Sequence, residues 1–288
     1  MNPVASTRPH WWQWPTVLSL DAPAVALVWQ AELARVARVP LGWQHAAILS
    51  VSVWLAYVLD RWIEGWRLTA DQVSTPRHQF YKRWRWPVAV LWIVFLCADL
   101  AIAWTRLTRR EWMAGWLLLA PVVLYLLSHQ WIHRHRAWRV PKEVCVAALL
   151  GGGVAVFLVA PAPQVVTRVI AMPLGLFILL CFANCSLISL WERDVDEAHG
   201  QTSLALQYRD DAPIATLVPW LLAAASAGLL LGTPTPAARS ALACCLLSSV
   251  LLAAVSNFER RVGWQTARVL ADAALMTPLL PLASGWLR

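Results

Sequence analysis

Charge is what this sequence has least of. Only 14% of its 288 residues are Asp, Glu, Lys or Arg, against about 25% in an ordinary soluble domain. It also lacks any polar insertion longer than about 25 residues between its apolar blocks, which leaves no room for a soluble domain of useful size. None of the six cysteines (Cys97, Cys145, Cys181, Cys185, Cys244, Cys245) belongs to a CxxC pair, and all six fall inside apolar blocks. That distribution supports neither a disulfide scaffold nor a zinc site, and reads as small hydrophobic core residues. Low-complexity segments are absent too. A cleavable signal peptide is not expected, because Trp11, Trp12 and Trp14 stand where an unbroken apolar stretch would have to run.

What is there is hydrophobicity, at 59% of the chain. It gathers in blocks of roughly 18 to 22 residues, the length that crosses a hydrocarbon layer ~30 Å thick. The blocks predict spans near 22–39, 41–62, 87–105, 113–129, 143–160, 165–190, 213–232, 236–257 and 267–287. The expected fold is therefore all-α: one polytopic membrane domain over 1–288, with about nine transmembrane helices. The first span is the weakest. Asp21 and Pro23 make a good helix start, but Gln30, Glu32, Arg35 and Arg38 make its body amphipathic, so it could also lie partly in the interface. Pro173, Pro278 and Pro281 fall inside spans and are expected to kink them. Gly151-Gly152-Gly153 reads as a surface for close helix packing. Tryptophans at block ends (Trp84, Trp86, Trp131, Trp138, Trp191, Trp264) have the placing of an interfacial belt.

The formal charge of +8 would raise nucleic acid as a partner for a soluble protein. Here its sidedness is more informative. Most basic residues fall in alternate loops, among them Arg61, Arg67, Arg77, Lys82, Arg83, Arg85, Arg134, Arg136, Arg139, Lys142 and Arg268. Positive loops favour the cytoplasmic face, which sets the orientation. The basic excess is a topology signal and an attraction to anionic lipid. The expected setting is an integral, multi-pass protein of a bacterial inner membrane.

Two acidic pairs lie at span ends on that same face. Asp60 and Glu64 are four residues apart and share one helical face. Two stacked carboxylates repel unless they face water or hold a cation between them. A solvated helix end is the simpler account of this pair taken alone. Magnesium bridging to a phosphate is the functional one, since it prefers oxygen ligands and takes few of them from protein. Glu192 and Asp196 repeat the spacing, with Gly200 four further on as a helix stop. Asp194 points roughly 200° away from Glu192. Four acids in six positions beside a span are costly unless solvated or functional, and a plain acidic loop is the competing account.

Together the two pairs resemble the UbiA-type prenyltransferase superfamily, whose members carry two aspartate-rich motifs. Ala56, Tyr57, Asp60 and Glu64 stand at the places of its first motif, N-D-x-x-D-x-x-x-D. Glu192, Asp196, Gly200 and Ser203-Leu204 stand at those of the second. Ala56 and Tyr57 replace the Asn and first Asp, which removes a metal-organising group. The resemblance implies nine helices, a polyprenyl diphosphate held through Mg2+, and transfer of its isoprenyl group to a hydrophobic acceptor such as an aromatic. It assigns metal binding to Asp60, Glu64, Glu192 and Asp196, and diphosphate contacts to Arg77 and Lys142. His78 and Asp272 join Asp194 as further candidates, Asp272 because the last helix would face the cavity. Asp99, also inside a span, is expected nearer lipid and paired with an Arg. His129, His133 and His135 read as interface charge rather than metal ligands. A non-catalytic carrier or lipid-binding homologue is the alternative function, and a secondary transporter a weaker third, since matched broken helices are not evident.

Overall fold

The computed structural model describes residues 9–67, 75–129, 141–161, 163–200, 202–208, 212–233 and 235–286. Every regular element among them is helical. A 3-10 turn over Trp11–Gln13 leads into α1 (Trp14–Val17) and α2 (Asp21–Ala37), followed by α3 (Trp43–Arg67) and the short α4 (Pro76–Arg83). Next come α5 (Arg85–Arg106), α6 (Arg109–Leu127), α7 (Lys142–Val159) and α8 (Pro163–Trp191). Two short helices, α9 (Arg193–Ala198) and α10 (Leu204–Gln207), carry the chain to α11 (Ala212–Gly232) and α12 (Pro236–Val262). It ends in α13 (Trp264–Ala274) and α14 (Leu279–Trp286).

Seven of these helices are long and apolar enough to cross a membrane, and the pair formed by Trp11–Val17 and α2, bent by 78°, makes an eighth if it is one span. The ninth expected span is divided between α13 and α14, with the break at residues 275–278, just where Pro278 falls. By contrast α8 runs unbroken through Pro173. The chain is an integral, multi-pass membrane protein.

Local chemistry sets the helix ends. Thr108 and Glu111 form a capping box at the start of α6, the Thr108 backbone N–H donating to Glu111 Oε2 at 2.7 Å. Glu111 also meets His45 Nε2 across 2.9 Å, tying α6 to the first turn of α3. Where the last span breaks, the Leu275 carbonyl has no helical partner, and an unpaired carbonyl in lipid is costly. The fully buried Trp29 donates its indole N–H to it at 2.8 Å and stacks on Phe177 with centroids 4.7 Å apart.

This bond also places α2. Gln30 and Glu32 are 2% and 0% exposed, and Glu32 pairs with Arg35 at 2.7 Å. Gln30 and Glu32 thus turn into the bundle while Arg35 and Arg38 stay exposed, so the polar pattern of α2 runs from the interior to the surface. Packing is equally plain at the triple glycine, where a Cβ on Gly151 would lie 2.3 Å from Ile178 Cγ1. Asp99 differs from expectation. It is buried and accepts from Ser52 Oγ at 2.8 Å, so among the described residues its partner is a serine rather than an arginine. In the tryptophan belt, Trp84 and Trp86 are exposed at the start of α5, whereas Trp191 packs against the core. Trp131 and Trp138 lie outside the described residues, as do His133, His135, Arg134, Arg136 and Arg139.

Candidate diphosphate and metal site

The first acidic pair sits in the last turns of α3, which runs on to Arg67, past the expected end at 62. Arg61, between the two acids, turns into the protein and donates to the Thr16 carbonyl (2.8 Å) and Ser19 Oγ (2.6 Å). It holds the bend between α1 and α2 and is committed there. The chain then folds back as α4, capped by Thr75 with Pro76 in its first turn. Gly65 permits the approach, since a Cβ there would stand 3.3 Å from the Lys82 nitrogen and Tyr81 Cβ.

Folding back brings α4 between the two motifs. His78 Nε2 lies 3.8 Å from Glu64 Oε2 of the first motif, and Arg77 Nη2 lies 3.8 Å from Glu192 Oε2 of the second. Adjacent residues of one short helix thus bridge acids more than a hundred positions apart in sequence. The Glu192 carboxylate also accepts from Arg268 Nη1 of α13. Lys142, at the first position of α7, reaches Asp196 Oδ2 at 3.5 Å. Its neighbour Glu143 accepts the Leu204 N–H at 3.0 Å and so docks the loop that follows the second motif.

The second pair divides its partners. Since α8 ends at Trp191 and α9 begins at Arg193, Glu192 occupies the junction between them and faces two arginines, while Asp196 faces Lys142. Asp194 is exposed, as its angular position required. Asp272 accepts from Asn184 Nδ2 at 2.8 Å, which links α13 to α8 below the site. The first pair gains a third neighbour: ligand atoms of Asp60, Glu64 and His129 all lie within 4.8 Å of one another.

Electrostatics follow from these contacts. Burial alone would raise the Glu192 carboxyl, but Arg268 and Arg77 outweigh it and hold it down to about 2. Burial, with Arg268 adding to it, lowers Arg77 to about 10 despite the opposing pull of Glu192. Burial also lowers His78 to about 4, Arg77 adding to it and Glu64 opposing, so its ring is neutral at pH 7. Arg77 Nε and Arg268 Nε are both buried without a hydrogen-bond partner. Each such donor costs about 1–3 kcal/mol if it stays unfilled, so two guanidinium groups present donors fitted to an oxyanion. Beside this end lies an apolar cavity of about 330 Å³, bounded by Pro141, Phe182, Leu190, Leu204, Tyr208 and Val218.

Asp60, Glu64, Arg77, His78, Glu192, Asp196 and Lys142 are therefore brought to one end of the bundle, with Asp272 nearby and Asp194 outside. Three further residues belong with them. Arg268 had a sequence signal, since it lies four residues before Asp272 and so shares its helical face. Glu143 and His129 had none beyond adjacency to Lys142 and to a helix end.

Such a build defines a class: a multi-pass, all-α membrane protein with the UbiA-type fold. Among solved structures it superposes on the apo structure of a UbiA homolog from Aeropyrum pernix, with a TM-score of 0.58 over 91% of this chain and 98% of that one. Identity is 15%, so the likeness is one of fold. No protein-family model matches the sequence, and no curated protein does.

Proposed function

We propose that the protein is a membrane-embedded prenyltransferase, moving an isoprenyl group from a polyprenyl diphosphate to a hydrophobic acceptor such as an aromatic. What carries this reading is the convergence of both acidic motifs with Arg77, Arg268 and Lys142 at one end of a UbiA-type bundle. Asp60 and Glu64 offer oxygen donors that fit a divalent cation, Mg2+ being the one expected from the resemblance. A cation there would neutralise diphosphate oxygens and ease departure of the diphosphate.

The chain's own residues supply the rest. Arg77 and Arg268 carry unfilled Nε donors and fixed positive charge for the leaving oxygens. In the present arrangement both lean on Glu192, so a bound diphosphate would share them with that carboxylate. Lys142 adds a third positive group from the start of α7. The apolar cavity beside Leu190 and Leu204 offers the isoprenoid chain a dry wall, and keeps water from a developing allylic cation.

One observation favours a second reading. Glu192 and Asp196 are already compensated by arginine and lysine, so this half of the site is complete without a metal. A carrier that binds prenyl diphosphate without cleaving it would need no more. Membranes containing the protein, incubated with allylic diphosphates of several lengths, separate the two. Diphosphate release that depends on a divalent cation and is lost in Asp60→Ala and Asp196→Ala supports the transferase. Release undiminished in both variants removes it, and binding that persists without any cation favours the carrier.

A further inference from the structure

The charged end of the bundle has a second polar layer beneath it. We infer that this layer seats the acceptor, and that Asp272, with Asp21 and Asn184, selects an acceptor carrying a neutral hydroxyl and refuses one that presents a carboxylate. The inference rests on the transferase reading proposed above and names the class of its second substrate.

Helical spacing sets the depth of the layer. Tyr57 lies three residues before Asp60 on α3, Cys185 seven before Glu192 on α8, and Asp272 four after Arg268 on α13. Each spacing keeps the two residues on one helical face. At 1.5 Å per residue, the lower layer stands about 5–10 Å from the charged one. Tyr57, Cys185 and Asp272 are deeply enclosed by protein, yet each keeps some accessible surface, so they line a hollow and not a packed core. The Tyr57 ring, with the Arg61 guanidinium 5.7 Å from its centroid, gives that hollow an aromatic wall.

The polar groups beside the hollow identify what it takes. Asn184 is 7% exposed and donates from Nδ2 to Asp272 Oδ1 at 2.8 Å, while its Oδ1 is buried with no hydrogen-bond partner among the described residues. Turning the amide over exchanges the two atoms and leaves the nitrogen without a partner instead. A hydroxyl answers either case, since it both donates and accepts. Asp21 approaches Asp272 closely enough for the two carboxyls to hydrogen-bond through one proton. With that proton shared, the pair still carries a negative charge and spare acceptor oxygens. Acids kept inside spans are costly unless they serve a site. An incoming hydroxyl finds an acceptor here, whereas an incoming carboxylate meets like charge. The guanidinium groups of this region are held elsewhere, Arg268 by Glu192 and Arg61 by the Thr16 carbonyl and Ser19. Refusal by like charge separates ligands that shape alone would admit.

The test measures binding by calorimetry on the full chain in detergent, with empty micelles as the blank. The probes are para-butylphenol, its methyl ether para-butylanisole, and para-butylbenzoate. The phenol is expected to bind about tenfold more tightly than the ether, the size of one hydrogen bond to a charged group. Over the benzoate its advantage is about a hundredfold. Asp272→Asn removes a charge at constant shape: benzoate affinity rises by about tenfold while phenol affinity falls, a reversal that loss of folding does not produce. Asn184→Leu, at an unchanged melting temperature, narrows the gap between phenol and ether to about twofold. Failure of the parent to bind the phenol overturns the inference, as does a benzoate bound equally well. So does an Asp272→Asn variant that keeps the parent's preferences. Diphosphate release by a protein that does not discriminate among the probes overturns it too, while leaving the transferase reading standing. Selection of the phenol through Asp272 with no release under any condition supports the hydroxyl seat and removes the transferase reading instead.

Discussion

The two acidic motifs share a spacing and little else. At the end of α3, Asp60 and Glu64 have imidazoles close by, His129 and the neutral His78. At the end of α8, Glu192 and Asp196 have guanidinium and ammonium groups, from Arg268, Arg77 and Lys142. Neutral imidazoles can offer lone pairs beside a carboxylate's negative charge. Arginines cancel that charge and bring donors for an incoming anion. Acids at one i,i+4 spacing can thus flank imidazoles or anchor cations that face an anion. Their neighbours from other helices decide which.

The largest expected effect comes from removing the anchor. Glu192→Ala leaves two partly buried guanidinium groups facing each other without their shared carboxylate. Breaking a buried ion pair from one side costs about 3–5 kcal/mol, and here the residual charges also repel. Denaturation of the detergent-solubilised protein should register that loss, with a clearly smaller one for Asp60→Asn. Equal losses at the two positions would mean that the motifs are not different in kind.

A second, somewhat smaller effect should appear in the pH dependence of the same protein. Glu192 is held at about 2 against an ordinary 4.5. A depressed carboxyl contributes stability above the unfolded value and loses it as pH falls toward the folded one. The window is therefore pH 4.5 down to 2, and the shift corresponds to about 3–4 kcal/mol at most. The stability difference between the parent and Glu192→Gln should shrink steadily across that window. A difference that does not change with pH would show that Glu192 is not ionised against its arginines.

How far this contrast could be read from sequence depends on which contacts stay within one helix. Span lengths, the aromatic ends near Trp84 and Trp86, and both i,i+4 pairs are local periodicities, and the bundle follows them. Arg77 and Lys142 were legible only through the resemblance to known motifs. His129 reads from sequence only as interface charge, because its approach to Asp60 joins the turn after α6 to α3, and no spacing within one helix reports it. Arg268 was half legible through its face-sharing with Asp272. The amphipathic α2 was only half legible for a related reason. A polar stripe reads the same whether it faces water or a buried partner, and only the pairing of Glu32 with Arg35, and of Trp29 with Leu275, tells them apart.

The smallest effect expected is also the one that bounds the motif. Asp194 shares the acidic cluster in sequence, yet it lies on the exposed side of α9, away from Lys142, Arg77 and Arg268. An exposed surface substitution moves stability by no more than about 0.5 kcal/mol. Asp194→Asn should therefore leave stability and diphosphate release within error of the parent, where Asp196→Asn alters release. The pair of variants differs by two positions in one short helix and by nothing in chemistry. If both lose release alike, what matters at this end is the summed negative charge of α9, and the contrast between the two motifs gives way to a simple acidic surface. If only Asp196→Asn does, the contact with Lys142 is what the spacing serves.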